Sequence, residues 1–154
     1  MKRMKRVVTG LLALVMMFAL VACGGKEQTV TYRGEQEESG IKMVDTMTFT
    51  AKGDKVQKLV EKIEMDVSSF EDDVKEQLKT LYDGMVDQYN AVDGVKCSMD
   101  SGDDSITLNI EVDTTGDAAQ TLADQNLLEL TGGSNISLKA SGSALEAQGY
   151  EKVE

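Results

Sequence analysis

The dipeptide Gly53-Asp54, set between Lys52 and Lys55, narrows what this chain can fold into more than any other feature. Before it, Ile41, Met43, Met47, Phe49 and Ala51 are apolar and alternate with Lys42, Thr46, Thr48 and Thr50. A period of two over that length is the pattern of a half-buried strand. A two-residue Gly-Asp connection reverses a strand onto itself, so residues 55 to 67 are expected to return antiparallel. In that return segment Val56, Leu59, Val60 and Ile63 fit helical spacing, whereas Leu59, Ile63, Met65 and Val67 fit alternation. The turn before it favours the strand.

The rest of the chain continues in the same style. Ser68-Ser69 offers a helix cap, and Glu71, Asp72 and Asp73 follow where acidic side chains complement the helix dipole. Phe70, Val74, Leu78, Leu81, Tyr82, Met85 and Tyr89 then recur every three or four residues, which predicts one long helix ending at Asp93-Gly94. Val95, Cys97 and Met99 alternate with polar residues, as do Ile106, Leu108, Ile110 and Val112 after the turn at Ser101-Gly102-Asp103-Asp104, so a second hairpin is expected. Residues 117 to 130 read as weakly helical, 136 to 140 as a last short strand, and 143 to 148 as a capped turn of helix ending at Gly149. Strands that follow one another without helical crossovers imply an α+β fold. The expected architecture is an antiparallel sheet of about five to six strands, with one long helix and shorter C-terminal helices on one face.

The N-terminus carries a different message. Lys2, Arg3, Lys5 and Arg6 precede a run from Val7 to Ala22 interrupted only by Thr9 and Gly10. A basic stretch followed by a short apolar one is a secretory signal. At 16 residues the run falls short of the roughly 20 that span a bilayer. It closes on Leu20-Val21-Ala22-Cys23 and then Gly24-Gly25, which resembles the lipobox of bacterial lipoproteins. That resemblance implies diacylglycerol on the Cys23 thiol and cleavage between Ala22 and Cys23. The expected organisation is a signal peptide at 1–22, a lipidated tether at 23–29 and a single α+β domain at 30–154.

Removing the signal leaves 132 of the 154 residues and 12 of the 16 basic side chains, against all 27 acidic ones, for a net charge of −15. Such a surface argues against nucleic-acid binding, which needs Lys and Arg against phosphates. It also repels anionic headgroups, so attachment to a membrane is expected to come from lipid on Cys23. With Cys23 acylated, Cys97 is the last thiol and no internal disulfide can form.

The order of elements and several strings resemble the YehR-like family of bacterial lipoproteins of unknown function. The strings are Lys52-Gly53-Asp54-Lys55-Val56, Val92-Asp93-Gly94-Val95 after the long helix, and the tail from Ile136-Ser137-Leu138-Lys139 to Gln148-Gly149-Tyr150-Glu151-Lys152-Val153. The resemblance covers essentially the whole mature chain. The resemblance implies a small α+β domain with a strand at 55 to 67, and it brings no activity, cofactor or site residue with it.

The chain contains no His, which removes His-based acid/base chemistry, Ser-His and Cys-His nucleophile pairs and His metal ligation. Cys97 lies on the apolar side of its strand and reads as a buried structural cysteine. Asp100 to Glu111 matches a calcium loop poorly, since Gly102 stands where a ligand is needed and Ser105 where the turn needs Gly. Asp72-Asp73 and Glu37-Glu38 are adjacent rather than convergent and read as solvated faces. No catalytic residue, metal site or cofactor is therefore assigned, and the expected role is a non-catalytic module binding a small ligand or an envelope protein. The alternative is a carboxylate-dependent envelope hydrolase, for which two acids about 5 to 9 Å apart in a cleft would be required.

Overall fold

The Gly53-Asp54 reversal organises the whole sheet. A computed structural model describes residues 25–130 and 135–153. In it β1 (Glu27–Glu38), β2 (Ile41–Lys52) and β3 (Lys55–Asp66) form a meander, with Gly53 at φ 64° in the second turn and Ser39 and Gly40 both at positive φ in the first. Positive φ at both central residues matches the twist of the flanking strands. After α1 (Asp72–Asn90), β4 (Val95–Ser101) and β5 (Ser105–Asp113) form the second hairpin. α2 (Ala118–Asp124), α3 (Leu138–Ala147) and β6 (Glu151–Val153) complete the described chain. The sheet has the order β4-β5-β3-β2-β1-β6 and every neighbouring pair is antiparallel. The expected α+β architecture is the one observed.

The double periodicity of residues 55 to 67 has a structural cause. Thr50 pairs with Lys58 but Ala51 pairs with Val56, so Gln57 is the extra residue of a β-bulge. The bulge lets both Val56 and Leu59 point into the core, three positions apart, within a strand. Helical spacing at that point is the imprint of an inserted residue.

The helices bury the face of the sheet that carries Tyr32, Phe49, Leu59, Ile110 and Val112. One apolar cluster is built on those residues with Tyr89, Leu122, Leu138 and Leu145. A second gathers Met65, Val67, Ile106 and Leu108, with Phe70, Leu78 and Tyr82 packed against it. The opposite face is polar and includes paired threonines, Thr31 Oγ1 lying 3.0 Å from Thr48 Oγ1, and the ion pair Lys58–Glu111 at 2.9 Å.

Several boundaries differ from the sequence reading. Glu27 to Thr29, assigned to the tether, are strand residues paired with Lys52 to Thr50. Ser68 does not cap α1: its amide and hydroxyl both donate to Asp66, and the helix begins at Asp72 after Glu71. Leu81, counted in the apolar stripe, is 60% exposed. Helix is confined to Ala118–Asp124 within the 117 to 130 segment, while Leu127, Leu128 and Leu130 pack against the core without it.

The largest correction is at the C-terminus. Residues 136 to 140 make only an isolated bridge, Lys55 with Ser137, before α3 starts at Leu138. The Ser137 side chain accepts from the Ala140 amide, and Asp54 accepts from both the Ser137 hydroxyl and the Lys139 amide. A helix cap thus prevails over the strand propensity of Ile-Ser-Leu. The last strand is β6, which pairs through Glu151 to Val153 with Arg33 to Thr31.

Candidate functional site

Two of the apolar alternations on the inner sheet face are each broken once by an acid. On β2 it is Asp45, between Met43 and Met47, and on β3 it is Glu61, between Leu59 and Ile63. The register places Asp45 opposite Ile63 and Glu61 opposite Met47. The two carboxylates are therefore diagonal neighbours on one face, a relation that sets side chains about 7–8 Å apart. They mark the seam between the two apolar clusters, with Met43, Ile63 and Met65 on one side and Met47, Phe49 and Leu59 on the other.

The C-terminal segment closes over this seam. Gly149, at φ 91°, turns the chain out of α3, and the Tyr150 ring enters the core at 8% exposure. Its hydroxyl donates to Asp45 Oδ2 at 2.7 Å and accepts from Gln36 Nε2 at 3.2 Å. Room for the ring comes from Gly34 on β1, where a Cβ would lie 2.8 Å from three ring carbons. The other oxygen of Asp45 is buried with no hydrogen-bond partner among the described residues. A cavity of about 150 Å³ borders it, lined by Gln36, Met43, Asp45, Ile63 and Tyr150.

Burial dominates the electrostatics here. It raises the Asp45 carboxyl above its ordinary value, against the lowering effect of the Tyr150 hydrogen bond and the Thr46 amide. Glu61 is pushed up to about 7, first by burial and then by the charge of Asp45. The Tyr150 hydroxyl is raised by burial, by its bond to Asp45 and by both acidic charges, so it stays a donor. Tyr89 of α1 is raised by burial and then by Glu61 and Cys97.

Cys97 is 9% exposed, and burial followed by the charge of Glu61 raises its thiol. It has the environment of an inert thiol rather than of a nucleophile. Asn90 brackets its backbone, donating to the Cys97 carbonyl and accepting from its amide, both at 2.8 Å. The end of α1 is thereby fastened to the edge strand β4. At the rejected calcium loop, Gly102 N donates to Ser105 O and closes a hairpin, while Asp104 holds Lys75 at 3.1 Å. Asp72-Asp73 and Glu37-Glu38 are exposed. Cys23 lies outside the described residues.

Among the described residues no three Cys, Asp or Glu side chains converge as metal ligands, so the seam is a pair of acids with a tyrosine and an amide. A pair whose ionisations are driven apart can share a proton or act as an acid and a base. The adjoining cavity is below the roughly 300 Å³ at which sites for drug-sized ligands begin. A second hollow, about 210 Å³, lies on the outer sheet face beside Val60, Lys96, Ser98, Asn109 and Glu111 and brings no such constellation together.

The model of the family described as "protein of unknown function (DUF1307)" matches residues 28–151. The chain belongs to this family. The chain is 32% identical over 155 residues to an uncharacterised lipoprotein of Listeria monocytogenes, Lmo0207, covering 99% of both proteins. It is 31% identical over 156 residues to the uncharacterised lipoprotein Lin0239 of Listeria innocua, covering 100% of this chain and 99% of the relative. Its fold is similar to the NMR structure of the Escherichia coli YehR protein, with a TM-score of 0.62 at 20% identity over 85% of this chain and 94% of that one. An NMR structure from Streptococcus pneumoniae aligns with a TM-score of 0.53 at 14% identity over 89% and 91%. The chain is thus a YehR-like DUF1307 protein, as the tail and turn strings suggested, and its relatives are lipoproteins of unknown function.

Proposed function

We propose that this DUF1307 protein is a lipoprotein anchored through Cys23 to the extracytoplasmic face of a membrane, where its domain acts as a non-catalytic binding or interaction module. The observation that carries the anchor is the cluster Leu20-Val21-Ala22-Cys23 behind a basic segment and a 16-residue apolar run. Relatives alike over their full length are named lipoproteins, which supports it. Two or three acyl chains, at about 0.8 kcal/mol per buried methylene, hold a small domain firmly. The non-catalytic role is supported by the smallness of the cavity at the acid pair and by the absence of His.

Metabolic labelling with a fatty-acid analogue tests the anchor: wild type should take up label and Cys23→Ser should not. Equal labelling, or a mature N-terminus anywhere but Cys23, would defeat it. A carboxylate-dependent hydrolase is the second reading, and the convergence of Asp45 and Glu61 is what favours it. Glycan-release assays on isolated envelopes separate the two. Release by wild type that is lost in both Asp45→Asn and Glu61→Gln would establish the hydrolase and overturn the non-catalytic role.

A further inference from the structure

The tether joins the domain at one particular pole of the sheet. β1 begins at Glu27, opposite Lys52, and the carbonyl of Lys26 accepts from the Gly53 amide. On the other side of the same turn, Asp54 receives the amides of Leu138 and Lys139 through its carbonyl and carboxylate, and Lys55 bridges to Ser137. Segments far apart in sequence thus surround the Gly53 turn, and each brings a lysine: Lys26, Lys52, Lys55 and Lys139. All four are exposed, and none is in an ion pair among the described residues. Glu27 and Asp54 are the acids on these same segments, Asp54 engaged with the start of α3, and Asp113 on the strand next to β3 is set against Lys58.

The other end of the sheet has the opposite character. Twelve-residue strands carry the chain roughly 36 Å to it at about 3.3 Å per residue. There Glu37, Glu38, Asp66, Asp72, Asp73 and Asp104 outnumber Lys42 and Lys75, and Lys75 is held by Asp104 and Asp72. A chain whose mature net charge is −15 is therefore polarised, with a locally basic patch where the tether enters. Asp113 faces Lys58 on the strand next to β3 and so borders the patch, while Asp93 and Asp117 lie further toward β5 and β4, which are roughly 14 and 19 Å across the sheet from β1, so the basic patch is the β1–β2–β3 corner rather than the whole end.

Cys23 precedes Lys26 by three residues, a reach of at most about 10 Å. That equals the screening length at about 0.1 M salt, so an anchored domain holds this corner inside the electrostatic field of the headgroups. Net repulsion pushes the acidic body away while attraction pulls the corner down, and both torques favour one orientation.

We infer that the lysine corner Lys26/Lys52/Lys55/Lys139 is a membrane-contact surface for anionic lipid headgroups, standing the domain on its tether with the acidic pole and the Tyr150 seam turned away from the bilayer plane. This rests on the anchor proposed above. The lipid holds the protein at the membrane, and the corner sets which way it faces.

The test uses the full processed lipoprotein in nanodiscs containing a gadolinium-chelate headgroup, made either of neutral phosphatidylcholine or with phosphatidylglycerol added. Backbone amides of 52–55 and 137–139 should be broadened more than those of 38–42 and 102–105. The corner-down orientation should be favoured on the order of tenfold more in anionic than in neutral discs at low salt, as expected for two net positive charges near such a surface. The preference should vanish in the variant carrying Lys52→Glu, Lys55→Glu and Lys139→Glu, whose other amide shifts report an intact fold. Identical patterns in the two discs, an unchanged variant, or broadening centred on the acidic pole would each overturn the inference. Mass spectrometry of the N-terminal peptide separates this from failure of the anchor. A lipidated Cys23 without preferred orientation sinks the contact surface alone, whereas an unmodified Cys23 sinks both.

Discussion

Replacing Glu61 by Gln should stabilise this protein, and only on one side of a pH boundary. In the folded chain the Glu61 carboxyl is raised from 4.5 to about 7 by burial and by Asp45. Between those two values the native state keeps a proton that the unfolded chain has released, so stability falls as pH rises across the window and is level above it. At about 1.4 kcal/mol per pH unit the whole fall is on the order of 3 kcal/mol. Gln keeps the shape and removes the ionisation. The variant should match wild type near pH 4.5 and exceed it by about 2–3 kcal/mol at pH 8, with a residual slope left by Asp45, whose carboxyl is also raised. Urea unfolding followed by circular dichroism from pH 4.5 to 8.5, on the protein starting at Lys26, reads this directly. Parallel pH profiles for the two proteins, or a variant weaker than wild type at pH 8, would refute the burial of Glu61 beside a second acid.

Three further outcomes follow from the same geometry. Gly34→Ala drives a methyl into the Tyr150 ring and should lower stability by about 1–3 kcal/mol, seen as a lower thermal midpoint. A midpoint equal to wild type would mean that Tyr150 does not pack there. Tyr150→Phe strips Asp45 of its hydroxyl donor and should cost about 1–3 kcal/mol at pH 8 but less at pH 4, where Asp45 is closer to neutral, measured by urea midpoints. Cys97→Ala should cost on the order of 1 kcal/mol, and the native thiol should react with a thiol reagent far more slowly than in the unfolded chain. Rapid labelling of the folded protein would contradict its burial.

The fold was largely legible because its signals are local. Alternation at 41–51 and 106–112, a Gly-containing two-residue turn and an apolar stripe at three- and four-residue spacing each act over a few residues, so the first hairpin, the long helix, the second hairpin and the α+β class could be read along the chain, whereas β1 at Glu27–Glu38 was not. The sequence by itself also determined the lipobox-like N-terminus, since such processing signals are read along the chain. The acid pair left a trace too: the apolar alternation skips Asp45 on one strand and Glu61 on the next. A single polar residue in a strand pattern is ordinary, and only the pairing register, set by the Gly53-Asp54 turn and shifted by the Gln57 bulge, places the two skips side by side.

Tertiary structure alone decided the remainder, because those features are made by contacts between distant segments. The Ile136 to Ala140 stretch has strand propensity, but Asp54, more than 80 residues earlier, receives the Ser137 hydroxyl and the Lys139 amide and starts a helix instead. Tyr150 reaches Asp45 across 105 residues, in a space that Gly34 leaves open. A net charge of −11 is a property of composition, and it conceals four lysines that folding gathers at the end of the sheet where β1 begins. Composition sums charges without positions, and a headgroup layer responds to the charges within about 10 Å of it.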